Sequence, residues 1–139
     1  MNNFYRKANY NGCSNYNKRQ NKKINTRSVG DSNEQRAAEF MEKEGYRIVA
    51  RNFRNRYGEI DIIAIDGNTL AFVEVKYRSS NRYGFPIEAV DYRKQQTIIS
   101  VARYFMMLNN ISEDCPIRFD IVAILGDDIE IIKDAFGIN

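Results

Sequence analysis

Asp61, Glu74 and Lys76 have the types and spacing to do chemistry. They lie on the two arms of an alternating stretch, Gly58-Glu59-Ile60-Asp61-Ile62-Ile63-Ala64-Ile65 and Leu70-Ala71-Phe72-Val73-Glu74-Val75-Lys76, joined by Asp66-Gly67-Asn68-Thr69. The arms are rich in β-branched and aromatic residues, and the link carries the Asp-Gly and Gly-Asn pairs that tight hairpin turns favour because they need φ > 0. With Gly67-Asn68 as a two-residue loop, or residues 66 to 69 as a four-residue loop, Asp61 falls opposite Glu74; with Asp66-Gly67 as the loop, Glu59 does. Each register sets two carboxylates side by side. Their Cβ atoms would stand about 4.5–5.5 Å apart, and the repulsion is roughly 3 kcal/mol at an effective dielectric of about 20. Three arrangements relieve it: protonation of one acid, pairing with Lys76, which alternation puts on the face of Glu74, or a divalent cation. The third carries chemistry, because a hard cation such as Mg²⁺ takes one or two carboxylates together with water and phosphate oxygens.

The flanking segments must position this hairpin. Asp31 to Gly45 reads as a helix with an apolar stripe at Ala37, Ala38, Phe40 and Met41, stopped by Gly45. Asp31 is the expected N-cap. Glu34 then takes the third position of a capping box, or else projects towards the hairpin as a third carboxylate; composition alone favours the cap. Tyr46 to Phe53 alternates as a first strand, and Asn55 to Gly58 turns into the hairpin. Tyr77 to Gly84 is polar and reads as a loop beside the acids. Asp91 caps a second helix with Ile98, Val101, Ala102, Phe105 and Leu108 on one face and Lys94 in its first turn. Ile117 to Leu125 and Asp128 to Lys133 flank a Gly126-Asp127 turn and form a second hairpin.

The chain has 139 residues, 43% apolar and 28% charged, which fits one domain with a real core. No apolar run approaches the roughly 20 residues of a membrane helix, and no hydrophobic signal region opens the sequence, so the expected location is cytoplasmic. Cys13 and Cys115 are far apart and in no Cys-x-x-Cys pattern, and read as free thiols. There is no histidine, which excludes Ser-His-Asp and Cys-His catalysis and His-ligated zinc. Carboxylate, lysine and metal chemistry remain. Residues 1 to 29 hold seven Lys/Arg, no Asp or Glu and many Asn, and read as a disordered basic arm preceding a domain at 30–139. Within the domain, Arg54 and Arg56 precede the hairpin and Arg78, Arg82, Arg93 and Lys94 follow it, a bracketing that suits a polyanion held near metal-binding acids.

With Gly58-Glu59-Ile60-Asp61, then Phe72-Val73-Glu74-Val75-Lys76, then Arg118-Phe119-Asp120, residues 30 to 136 closely resemble the YraN-type uncharacterised family. That family looks like a branch of the PD-(D/E)XK, or restriction-endonuclease-like, nuclease superfamily and is similar to archaeal Holliday junction resolvases. The resemblance implies an α/β fold with a mixed central sheet of about five strands flanked by two main helices, in the order α-β-β-β-α-β-β. It implies a Mg²⁺- or Mn²⁺-dependent endonuclease acting on DNA, with branched or junction DNA as substrate and a homodimer where two strands of a junction are cut. Asp61 and Glu74 are the implied metal ligands, and Lys76 the lysine that positions the attacking water. Glu34 matches the helix-borne acid of the resolvase-like branch, acting on the metal through water. Arg54, Arg56, Arg78, Arg82, Arg93 and Lys94 are the expected nucleic-acid contacts. Ile60 stands where the superfamily pattern has Pro, Asn33 where a Gly precedes the helix Glu, and the basic arm exceeds the family pattern. A nucleic-acid-binding protein that keeps the fold without catalysis is the alternative expectation.

Overall fold

The computed structural model describes residues 5–6, 17–18, 28–79 and 90–138. Helix α1 (Ser28–Lys43) leads into strands β1 (Arg47–Asn55), β2 (Gly58–Asp66) and β3 (Thr69–Arg78); helix α2 (Tyr92–Leu108) then precedes β4 (Ile117–Leu125) and β5 (Asp128–Phe136). The five strands form one sheet in sequence order. All neighbours are antiparallel except β3 and β4, which run parallel because α2 carries the chain back between them. The α/β layout and its order are those read from the sequence. Ahead of this domain, Tyr5–Arg6 pairs antiparallel with Asn17–Lys18.

Local chemistry explains the element ends. Gly45 takes φ +94, its N–H donates to the Glu42 carbonyl, and the Tyr46 N–H donates to Met41, the two bonds of a Schellman stop. Asp91 caps α2 by accepting the Lys94 N–H at 2.8 Å. The β2–β3 and β4–β5 hairpins turn on a two-residue Gly-X loop, Gly67-Asn68 and Gly126-Asp127, and each glycine supplies φ near +60.

Two expectations are corrected. Helix α1 begins at Ser28, so Asp31 lies inside it and Glu34 stands beyond the first turn; the Asp31-x-x-Glu34 pattern matches a capping box in spacing only. The expected boundary between residues 29 and 30 accordingly falls inside this helix. Cys115 is disulfide-bonded, not a free thiol. The sequence has one other cysteine, Cys13, which lies outside the described residues.

Side chains alternate across the sheet and feed a core on each face. On one face Ile62, Ala64, Ala71, Val73, Val122 and Ile124 meet Ala37, Ala38 and Met41 of α1. On the other, Ile63, Ile65, Leu70, Phe72, Phe119 and Ile121 meet Ile98, Val101, Ala102 and Phe105 of α2. Phe105 sets its ring edge against both Phe53 and Phe72, with centroids 5.0 and 6.1 Å away. Among the described residues no helix is long and apolar enough to cross a membrane.

Candidate metal and nucleic-acid site

The β2–β3 ladder runs from Asp66↔Thr69 to Ile62↔Val73, the register of a Gly67-Asn68 loop, and its next step would set Asp61 against Glu74. There the strands part. β2 stays with β1 as far as Asn55↔Gly58, while β3 stays with β4 as far as Arg78↔Leu125, so the sheet opens into a V. Asp61 sits at its apex. Its Oδ2 accepts the Val75 N–H at 2.8 Å, so a carboxylate takes the place of a strand partner. Asn52, on the neighbouring strand between the Arg51↔Ile62 and Phe53↔Ile60 pairs, has φ +52; the backbone departs from regular strand geometry beside Asp61.

Asp61 and Glu74 are buried, at 8% and 5% exposure, although both are acids. Leu70 and Phe72 face α2, so alternation turns Glu74 and Lys76 to that face as well. Glu74 Oε1 lies 3.3 Å from Lys76 Nζ and 3.7 Å from Lys94 Nζ, the latter reaching in from the first turn of α2. Among the described residues no such cation is paired with Asp61. Burial first, then the charge of Glu74, raises its carboxyl from the ordinary 3.8 to about 8, with Glu34 and Glu59 adding and the Val75 N–H opposing. Glu34, from α1, is thus close enough for its charge to be felt at Asp61. Of the three ways to relieve the paired acids, the described residues supply two: a raised pKa that favours the protonated form of Asp61, and lysines on Glu74.

Asp61, Glu74 and Lys76 therefore come together as the sequence predicts, with Glu34 in their field. Among the described residues no three acids or cysteines converge as a ready-made metal cage. The donor set suits an ion that keeps water and takes one or two carboxylates, as Mg²⁺ does. The expected nucleic-acid contacts divide. Arg54 is paired across the strands with Glu59 at 3.0 Å, Arg56 lies 4.8 Å over the Tyr57 ring, Arg93 lines a groove on α2, and Lys94 points to Glu74. Arg78 ends β3 beside Gly126, whose N–H donates to its carbonyl. Arg82 lies outside the described residues.

The Arg118-Phe119-Asp120 motif lies on β4, where Arg118 and Asp120 pair with Ala71 and Val73, so their side chains fall on the α1 face of the sheet, opposite to that of Glu74. Asp120 is fully buried and accepts from Arg118 Nε and Nη2 at 2.8 Å, from the Tyr46 hydroxyl at 3.2 Å and from the Asp134 N–H at 3.0 Å. Arg118 also meets Asp66 at 2.9 Å, as does Lys133. Hydrogen bonds from Arg118 and Lys133 lower the Asp66 pKa, and burial followed by the Asp120 charge pushes the Tyr46 hydroxyl above its usual range. This network fastens the β2–β3 turn to β4 and β5, a structural role. Sequence reasoning also missed Tyr57 and Tyr92, exposed aromatics beside the V; the available signal was a tyrosine in the Arg56-Tyr57-Gly58 turn, where nothing asks for an apolar ring.

The family model for "Uncharacterised protein family UPF0102" matches residues 33–124. A UPF0102 protein of Lachnoclostridium phytofermentans is 45% identical over 113 residues, covering 81% of this chain and 96% of the relative. One of Caldicellulosiruptor saccharolyticus is 44% identical over 119 residues, covering 81% and 100%. One of Chlorobium limicola is 52% identical over 101 residues, covering 72% and 77%.

Proposed function

This chain belongs to the uncharacterised protein family UPF0102, and from that premise we propose that it is a metal-dependent endonuclease hydrolysing phosphodiester bonds in DNA, branched DNA included. The observation that carries the reading is the apex of the V. Two buried carboxylates there, Asp61 and Glu74, sit beside Lys76, whose Nζ is 3.3 Å from Glu74. A site with no charge-dependent ligand gains nothing from burying such acids, since isolated buried charge is costly.

Asp61 and Glu74 would hold Mg²⁺ or Mn²⁺, with Glu34 acting through water. Bound there, such an ion supplies Lewis-acid polarisation of a phosphate oxygen and lowers the pKa of a coordinated water. Asp61 would hold such an ion in its deprotonated form, and the hydrogen bond from the Val75 N–H keeps its carboxyl aimed. Lys76, held on Glu74, orients the attacking water and offsets negative charge developing on the phosphate. Lys94 adds positive charge from α2, and the exposed Arg56 and Arg93 draw the strand to the site.

The test is cleavage of linear and branched DNA with Mn²⁺ or Mg²⁺. Asp61→Ala, Glu74→Ala and Lys76→Ala each abolish it while the folded circular dichroism spectrum persists; near-wild-type turnover by one variant removes that residue from the mechanism. One observation favours a second reading, a nucleic-acid-binding protein without catalysis: Glu74 is already engaged by two lysines. In that case DNA is bound with steep salt dependence and no product forms under either metal.

A further inference from the structure

A groove of about 420 Å³ lies between the β1–β2 turn and the N-terminal half of α2, lined by Tyr57, Tyr92, Arg93, Gln96, Thr97 and Ser100. We propose that this groove takes an unpaired base of a DNA strand, stacked on Tyr57 and Tyr92, and so selects substrates with single-stranded character. The proposal rests on the nuclease reading for its place in catalysis.

The two rings are 59% and 69% exposed, so neither is held by the core. Large apolar surface left in water beside a charged cleft points to a ligand with a flat face. Arg56 covers Tyr57 at 4.8 Å and donates to its hydroxyl at 2.6 Å, which fixes the ring on a turn that would otherwise leave it mobile. The turn itself is seated against α2. A Cβ on Gly58 would stand 2.5 Å from Thr97 Cγ2, so only glycine lets the helix come this close and brings Tyr57 to the groove. Helical spacing does the rest: residues 92, 93, 96, 97 and 100 share the groove face, while Lys94 turns to Glu74.

The chemistry around the rings matches a nucleotide in three respects. Tyrosine faces stack any base, and each such contact is sequence-tolerant. Arg56 and Arg93 supply charge for the adjoining phosphates. Gln96 and Ser100 offer hydrogen bonds to base edges. Tyr57 precedes Asp61 by four strand residues, about 13 Å at 3.3 Å per residue, so a strand stacked here continues into the V.

The chain has no tryptophan, so Tyr92→Trp places a single indole in the groove. That protein is titrated in chelator with a thymidine oligonucleotide of about twelve residues and with a duplex of equal length, and labelled oligonucleotide anisotropy is measured for wild type, Tyr57→Ala and Tyr92→Ala. Stacking quenches the indole with the single strand and not with the duplex, and each alanine weakens single-strand binding about tenfold, within the range for one base–aromatic contact. An unquenched indole, or equal affinities for the alanine variants and wild type, overturns the proposal. Parallel cleavage assays separate the two readings: DNA cut with unchanged affinities sinks the groove and keeps the nuclease, whereas groove-dependent binding without cleavage does the reverse.

Discussion

Replacing Asp61 by Asn removes a charge and keeps the acceptor for the Val75 N–H, so it isolates the cost of the carboxylate. Burial and Glu74 raise the Asp61 pKa from 3.8 to about 8 in the fold. A folded pKa above the unfolded one means the native state holds the proton more tightly; its contribution to stability is complete below about pH 4 and is lost as pH rises through about 8. At about 1.36 kcal/mol per pH unit the full span corresponds to about 6 kcal/mol. Local relaxation around the buried carboxyl reduces this to about 2–4 kcal/mol between pH 5 and 8. The metal-free Asn variant is then more stable than wild type at pH 8 by that amount, about 6–20 °C in Tm at about 3–5 °C per kcal/mol. At pH 5 the two nearly coincide. Thermal unfolding by circular dichroism with a chelator at both pH values measures this. Adding Mn²⁺ at ten times its Kd at pH 8 raises the wild-type stability by about 1.4 kcal/mol and leaves the variant unmoved. An Asn variant less stable than wild type at pH 8 in chelator would refute the reasoning, because Asp61 would then be an ordinary ionised acceptor.

Gly58→Ala destabilises the domain by about 1–3 kcal/mol, since its Cβ meets Thr97 Cγ2, whose rotamer is fixed by the hydroxyl bond to the Arg93 carbonyl; Thr97→Ala in the same chain recovers most of the loss in urea unfolding. Arg118→Ala leaves fully buried Asp120 without its counter-charge and lowers stability by about 3–5 kcal/mol. In chemical denaturation at pH 7 that loss far exceeds the loss from Arg54→Ala, whose ion pair with Glu59 is exposed and contributes about 0–1 kcal/mol.

The sequence narrowed the hairpin to two pairings, Asp61 or Glu59 opposite Glu74, because the Asp66-Gly67-Asn68 link and alternation on both arms allow few loops; the observed Gly67-Asn68 loop selects Asp61. The Asp91 cap and the Gly45 stop were legible for the same reason: each is a local backbone demand met by one residue type. The start of α1 was not, because an Asp-x-x-Glu spacing at Asp31 and Glu34 occurs as readily inside a helix as at its end. The parting of β2 and β3 was also hidden. It depends on the Asp61 side chain replacing a ladder bond to Val75, and a strand pattern looks the same whether its neighbour continues or leaves. The fate of the arginines depended on three-dimensional neighbours: Glu59 takes Arg54, leaving one charge fewer for phosphate than the bracketing pattern implies, whereas Arg56 keeps its charge over the Tyr57 ring.

The parting of the strands makes the sheet mechanically asymmetric. At the Asp66 end, Arg118 and Lys133 clamp the β2–β3 turn; at the other, β3 projects past Val73 fastened along one side only, to β4, like a cantilever. Glu74 and Lys76 ride on that beam, and the brace across its open side is one carboxylate, Asp61 on Val75. The residue that holds the beam and the residue that would hold the ion are the same. An ion held at the apex would therefore stiffen the projecting strand through the carboxylate that braces it, and with it the positions of Glu74 and Lys76.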